Sequence, residues 1–112
     1  MAKPLQRPYS KLTQRALALL SRQIRLGRKE RKITTQELAD RAGISRSLVQ
    51  RIEKGDPGCQ IGAVLEAATI VGVQLFEADN AAMATRIREA DARLALLPKR
   101  TDHSRKPVDD EF

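Results

Sequence analysis

Aromatic side chains are scarce: one Tyr, two Phe and no Trp among 112 residues. A platform that stacks single-stranded bases needs several ring faces, so that class is disfavoured, and most modes of RNA recognition with it. There is one cysteine, Cys59, and one histidine, His103. An internal disulfide and a cysteine-based zinc site are therefore excluded, and with them secreted disulfide scaffolds and zinc fingers; no metal and no cofactor are expected. No apolar run approaches the length that spans a bilayer. The opening MAKPLQRPYSK is charged with no apolar stretch behind it, which is unlike a signal peptide. What is present is positive charge: 21 Lys+Arg against 14 Asp+Glu, net +7, with a pI near 10.2. That surplus favours a polyanionic partner. The chain reads as a soluble, cytoplasmic, nucleoid-associated protein with no membrane partner.

The charge is uneven. Residues 1–34 carry ten Lys/Arg and one acid, 35–80 are net −3, and 81–112 are net +1. A solvated helix face would also carry such charge. Pro4 and Pro8 with little periodicity mark 1–9 as a flexible arm. A helix then starts at Ser10, with Leu12, Ala16, Leu19, Leu20 and Ile24 on one face, and runs to about Lys32. Thr34 and Glu37 form a capping box for a second, short helix that Gly43 ends. Ser45 caps a third, with Leu48, Val49 and Ile52 as its apolar stripe. It stops at Lys54-Gly55, before the turn Gly55-Asp56-Pro57-Gly58. Ile61, Val64, Leu65, Ala68 and Val71 make a fourth, closed by Gly72. Val73–Glu77 reads either as a helical turn or as a short strand, and a lone strand would need a copy of itself in a second chain. Met83, Ile87, Ala90, Leu94 and Leu97 place a last helix over about 81–97, ended by Pro98. Residues 10–79 form the expected domain, 80–98 the C-terminal helix and 99–112 a charged tail.

Two short helices joined through one glycine describe a helix-turn-helix. Residues 24–55, IRLGRKERKITTQELADRAGISRSLVQRIEKG, resemble the phage-repressor (XRE, or Cro/C1-type) family in Arg28, Thr34, Glu37, Leu38-Ala39, Ala42-Gly43-Ile44-Ser45, Ile52-Glu53 and Gly55. With the fourth helix the likeness covers about 24–72. It implies an all-α, five-helix bundle that binds palindromic, double-stranded operator DNA as a homodimer and represses transcription. The additional C-terminal helix and a short intermolecular strand at 73–77 would be extensions of it. Physically, Leu38, Ala39, Val49 and Ile52 fill the angle between the second and third helices, and Gly43 supplies the left-handed turn. The resemblance further suggests that Glu53 ties the third helix to Arg28.

The exposed face of the third helix holds Arg46, Ser47, Gln50 and Arg51. In resembling repressors these positions enter the major groove, where an arginine bonds guanine O6 and N7 together. The alternative is that Arg46 and Arg51 are solvated surface charges. Arg28, Lys32, Thr35, Gln36 and Ser45 are the expected DNA-backbone contacts, the amides at the helix start suiting a phosphate. The family places Gln directly after the capping Thr. Here Thr35 stands there and Gln36 one step later, which puts that clamp in doubt. Arg22, Arg25 and Lys29 would add sequence-blind attraction that salt erodes.

The longer run 26–58 and the acidic-aromatic end resemble HipB-like antitoxins, which bind their operon's DNA and hold a HipA-like kinase toxin inactive. On that reading Asp109, Asp110, Glu111 and Phe112 dock on the kinase; the alternative is a solubilising tail. A stand-alone repressor and an interaction module without DNA binding are the other options. The module is disfavoured because the exposed face of the third helix carries no acid before Glu53. Catalysis finds no footing: Asp79, Glu89 and Asp91 make no paired site, His103 lies in the tail, and Cys59 reads as a loop or capping residue.

Overall fold

The computed structural model describes residues 8–77 and 79–100. Among them are five helices and no strand: α1 Lys11–Glu30, α2 Thr35–Ala42, α3 Arg46–Glu53, α4 Ile61–Ile70 and α5 Asn80–Ala95. The all-α fold is as expected. Four helices build the bundle, and the C-terminal helix is the fifth. The chain divides into two compact units, Met1–Leu75 and Phe76–Phe112.

Each boundary in the first unit has a local cause. Ser10 Oγ accepts the Thr13 amide at 3.3 Å and opens α1. At α2 the capping box is complete: Thr34 Oγ1 accepts the Glu37 amide at 3.0 Å, and Glu37 Oε1 accepts the Thr34 amide at 2.7 Å. Gly43 closes α2 at φ 70. The Ile44 amide then donates to Ala39 O at 3.0 Å, completing the turn. Ser45 Oγ accepts the Leu48 amide at 3.0 Å and starts α3. Lys32, in the link before α2, holds φ 57, a left-handed conformation that an L side chain adopts at a cost of about 1–2 kcal/mol.

The core is small and aliphatic: Ile24, Ile33, Leu38, Ala39, Val49, Ile52, Ala67, Ala68 and Val71. Fully burying a side chain such as Leu38 or Val49 contributes about 1.5–3 kcal/mol. Small residues set the close approaches. Gly27 of α1 lies against the end of α4, and a Cβ there would stand 2.5 Å from Val71 O. Gly27→Ala therefore forces backbone apart and should destabilise by about 1–3 kcal/mol, read as a lower urea midpoint at unchanged slope.

Three expectations need correction. The α1 face that packs inward is Ser21, Ile24 and Gly27, with Leu17 and Leu20 half-buried. Leu12, Ala16 and Leu19 are exposed, Leu12 by 79%. Periodicity finds an apolar face but not how far along the helix a partner reaches. On α4, Ile61 is likewise exposed while Ala67 and Ala68 are buried. Val73–Glu77 is neither helix nor strand within the chain. The Val73 amide donates to Ala68 O at 2.8 Å and finishes α4.

In the second unit, Asp79 Oδ1 accepts the Ala82 amide at 2.8 Å and caps α5 one residue earlier than its apolar pattern begins. No residue of α5 is buried.

Candidate nucleic-acid interface

Helices α2 and α3 are held as one rigid element. Leu38, Ala39 and Val49 are fully buried between them and Ile52 nearly so, as the sequence indicates. Ala39 lets the two backbones approach. The outer face of α3 is then fixed by helical geometry. Arg46 and Gln50 lie one turn apart, Ser47 and Arg51 likewise, and the two rows are adjacent. All four side chains are exposed.

Arg28 joins this element to α1. Its Nε donates to Glu53 Oε2 at 2.7 Å and its Nη2 to Glu53 Oε1 at 2.9 Å, a bidentate pair. Its Nη1 donates to Ile33 O at 3.0 Å. The side chains are 11% and 8% exposed. The hydrogen bond that Arg28 donates to Glu53 raises the Arg28 pKa above its ordinary value, burial opposing it. Arg28 was expected among the DNA-backbone contacts. Its guanidinium is instead directed inward, and it acts as the strut that sets the third helix.

The other expected backbone residues lie where α2 and α3 begin. Lys32 is exposed in the link. Thr35 is half-buried as the first residue of α2. Gln36 is exposed, but its Nε2 donates to Asp40 Oδ1 at 2.9 Å. The departure from the family's Gln therefore leaves the long amide occupied on its own helix. Ser45 spends its oxygen as a cap acceptor, and its hydroxyl proton can still be donated outward.

Arg51 carries a contact that sequence reasoning missed. Its Nε donates to Asp56 Oδ2 at 2.8 Å, and Asp56 Oδ1 accepts the Gly58 amide at 2.7 Å. The hydrogen bond from Arg51, and then that from Gly58, hold the Asp56 carboxyl below its usual range. The pair uses only one edge of the guanidinium. The GDPG turn signals a reversal but not which cation its aspartate meets. Five residues across a helix end is outside the i,i+4 rule. Cys59, beside this turn, is half-buried, and burial pushes its thiol up, away from the nucleophilic thiolate.

A groove between α1 and the C-terminal end of α3 is lined by Arg22, Arg25, Lys29 and Lys54. It gathers part of the basic first third of the chain. Among the described residues no cluster of His, Cys, Asp and Glu could hold a metal ion, and no helix is long and apolar enough to cross a membrane. Asp109, Asp110, Glu111 and Phe112 lie outside the described residues.

A family model described as "Helix-turn-helix domain" matches residues 19–81, more than half of the chain. No curated protein and no solved structure matches it. The match runs from the middle of α1 through the capped pair α2–α3 and α4 to the start of α5, and the chain belongs to the helix-turn-helix domain family.

Proposed function

We infer that this protein is a sequence-specific transcriptional regulator of the XRE type. On this reading it acts as a homodimer on a palindromic operator and represses the genes downstream. The observation that carries it is the α3 surface. Arg46, Ser47, Gln50 and Arg51 are exposed on one face of a helix whose opposite face is locked into the core. An exposed arginine at the start of a recognition helix is suited to the acceptor pair of guanine. Lys32, Thr35 and Ser45 are the backbone contacts on this reading, together with the amides that open α2 and α3. Arg22, Arg25 and Lys29 add attraction without sequence information.

The test is binding to duplex DNA from upstream of the protein's own gene, against a scrambled duplex, at two salt concentrations. Selective binding that persists at moderate salt supports the reading. Equal, salt-erased binding to both duplexes overturns it and leaves a protein-interaction module.

A finer reading makes the protein the autoregulating antitoxin of a HipA-like kinase. It rests on the likeness of residues 26–58 to HipB-like proteins and on the acidic-aromatic sequence Asp109-Asp110-Glu111-Phe112. Deleting Val108–Phe112 should then leave operator binding intact and weaken capture of the kinase. Equal loss of both activities counts against the tail as a docking segment.

A further inference from the structure

Helix α5 has no buried residue, yet its sequence is not that of a solvated helix. Met83, Ile87, Ala90 and Leu94 are separated by four, three and four residues, and Leu97 follows just past the helix end at Ala95. This is the spacing of a two-helix seam. Ile87, Leu94 and Leu97 are 56%, 64% and 61% exposed. A single chain thus leaves a narrow apolar stripe uncovered along a helix about 24 Å long.

The flanking charges say what covers it. With Ile87 and Leu94 at the first seam position of successive heptads, Met83 and Ala90 take the fourth. Arg86 and Arg93 then stand at the residue before the seam, and Asp91 at the residue after it. In a parallel pair the residue before one heptad faces the residue after the fourth position of the next heptad in the partner. That places Arg86 of each copy against Asp91 of the other, twice by symmetry. In an antiparallel pair the preceding positions face one another, so arginines would meet arginines. Small Ala90 lets the helices approach closely at the middle.

We propose that α5 is a parallel, two-stranded dimerisation helix, closed along Met83–Leu94 and selected for orientation by reciprocal Arg86–Asp91 pairs between copies. The inference rests on the homodimer of the proposed function and names the element that makes it. Within one chain, Arg86 donates to the Glu77 carboxylate. That pair is exposed, so it exchanges readily with an equivalent one across the dimer. Parallel helices bring both chains into the pair from the same end. The two reading units are then tethered side by side, as a two-fold operator requires. The helical seam is shorter than two heptads, so dimerisation is concentration-dependent.

The experiment uses the full chain without DNA. Sedimentation equilibrium should show a monomer–dimer equilibrium. Arg86→Glu alone and Asp91→Arg alone should each weaken it by roughly tenfold or more, and an equimolar mixture of the two should restore a heterodimer with both pairs correctly matched. A Cys59→Ser, Leu94→Cys variant should form a covalent dimer under mild oxidation, because parallel pairing sets Leu94 against its own copy and antiparallel pairing does not. This second variant leaves the Arg86–Glu77 contact intact, so its result does not depend on that local pair. A monomer at every concentration overturns the proposal. A dimer that ignores the charge reversals, or one that fails to cross-link at Leu94→Cys, overturns it equally. A cross-linked dimer that binds no operator would count against the regulator reading instead. Selective DNA binding by a monomer would count against the α5 pair alone.

Discussion

Arg46→Ala should weaken binding to the operator by about 1–3 kcal/mol, roughly fivefold to 150-fold, with little change in binding to scrambled duplex. Arg46 opens α3, is exposed, and lies a turn before Gln50 on the reading face. The form of the loss distinguishes two roles. If Arg46 reads a base, preference at one base pair collapses and the salt dependence stays nearly constant. If it contacts only phosphate, all sequences weaken together, and the slope of log affinity against log salt drops by about 0.9. Arg51→Ala should cost less than Arg46→Ala. In the free protein Arg51 already has a partner in Asp56, so a base contact by its Nε edge replaces one hydrogen bond with another. Binding titrations of both variants against single-base-pair operator variants would check the order. A larger loss at Arg51 would mean that the Asp56 pair persists on DNA and orients the arginine.

The largest effect on stability is expected at the strut between α1 and α3. Glu53→Ala leaves the Arg28 guanidinium, a side chain only 11% exposed, without its carboxylate. Breaking a buried pair from one side costs about 3–5 kcal/mol. A domain of this size holds only about 5–15 kcal/mol in all, so a large share of the molecules should lose cooperative structure on mild heating. The double replacement Arg28→Met, Glu53→Leu should cost clearly less than Glu53→Ala, because no uncompensated charge remains. Urea melts of Arg28→Met, Glu53→Leu and the double variant complete the cycle. If Glu53→Ala and the double variant melt together, the pair contributes only packing.

Much of the bundle was legible because its determinants are local. Thr34, Glu37, Gly43 and Ser45 act within three or four residues of themselves, and each cap stands where its residue type indicates. The exposed face of α3 follows from the same economy: once Val49 and Ile52 face inward, helical geometry fixes what faces out. The misses are all at a distance. Leu12 and Leu19 share a periodic face with Ile24 but are exposed, and no sequence window records how far a partner extends. The contact of Gly27 with Val71 spans 44 positions, beyond any local pattern. The Arg28–Glu53 pair came from family likeness, because two charges 25 residues apart are not marked as partners by spacing. The same guanidinium, expected at a phosphate, has three of its donors engaged by Glu53 and Ile33 O. The Arg51–Asp56 pair forms across a helix end, where the regular rise that makes side-chain spacing readable no longer holds.

The strut also sets a tolerance. Helix α3 is about 12 Å long, so a tilt of about 5° moves its far end by about 1 Å. A hydrogen bond to a base edge is made near 2.9 Å and is lost within a few tenths of an ångström beyond about 3.2 Å. Recognition therefore demands that the helix be aimed to within a few degrees. A helix of eight residues has too little surface to achieve that by packing along its length. It is pinned at its two tips instead, by the Gly43–Ser45 turn at one and by the Glu53 carboxylate at the other, like a short shaft carried in two bearings.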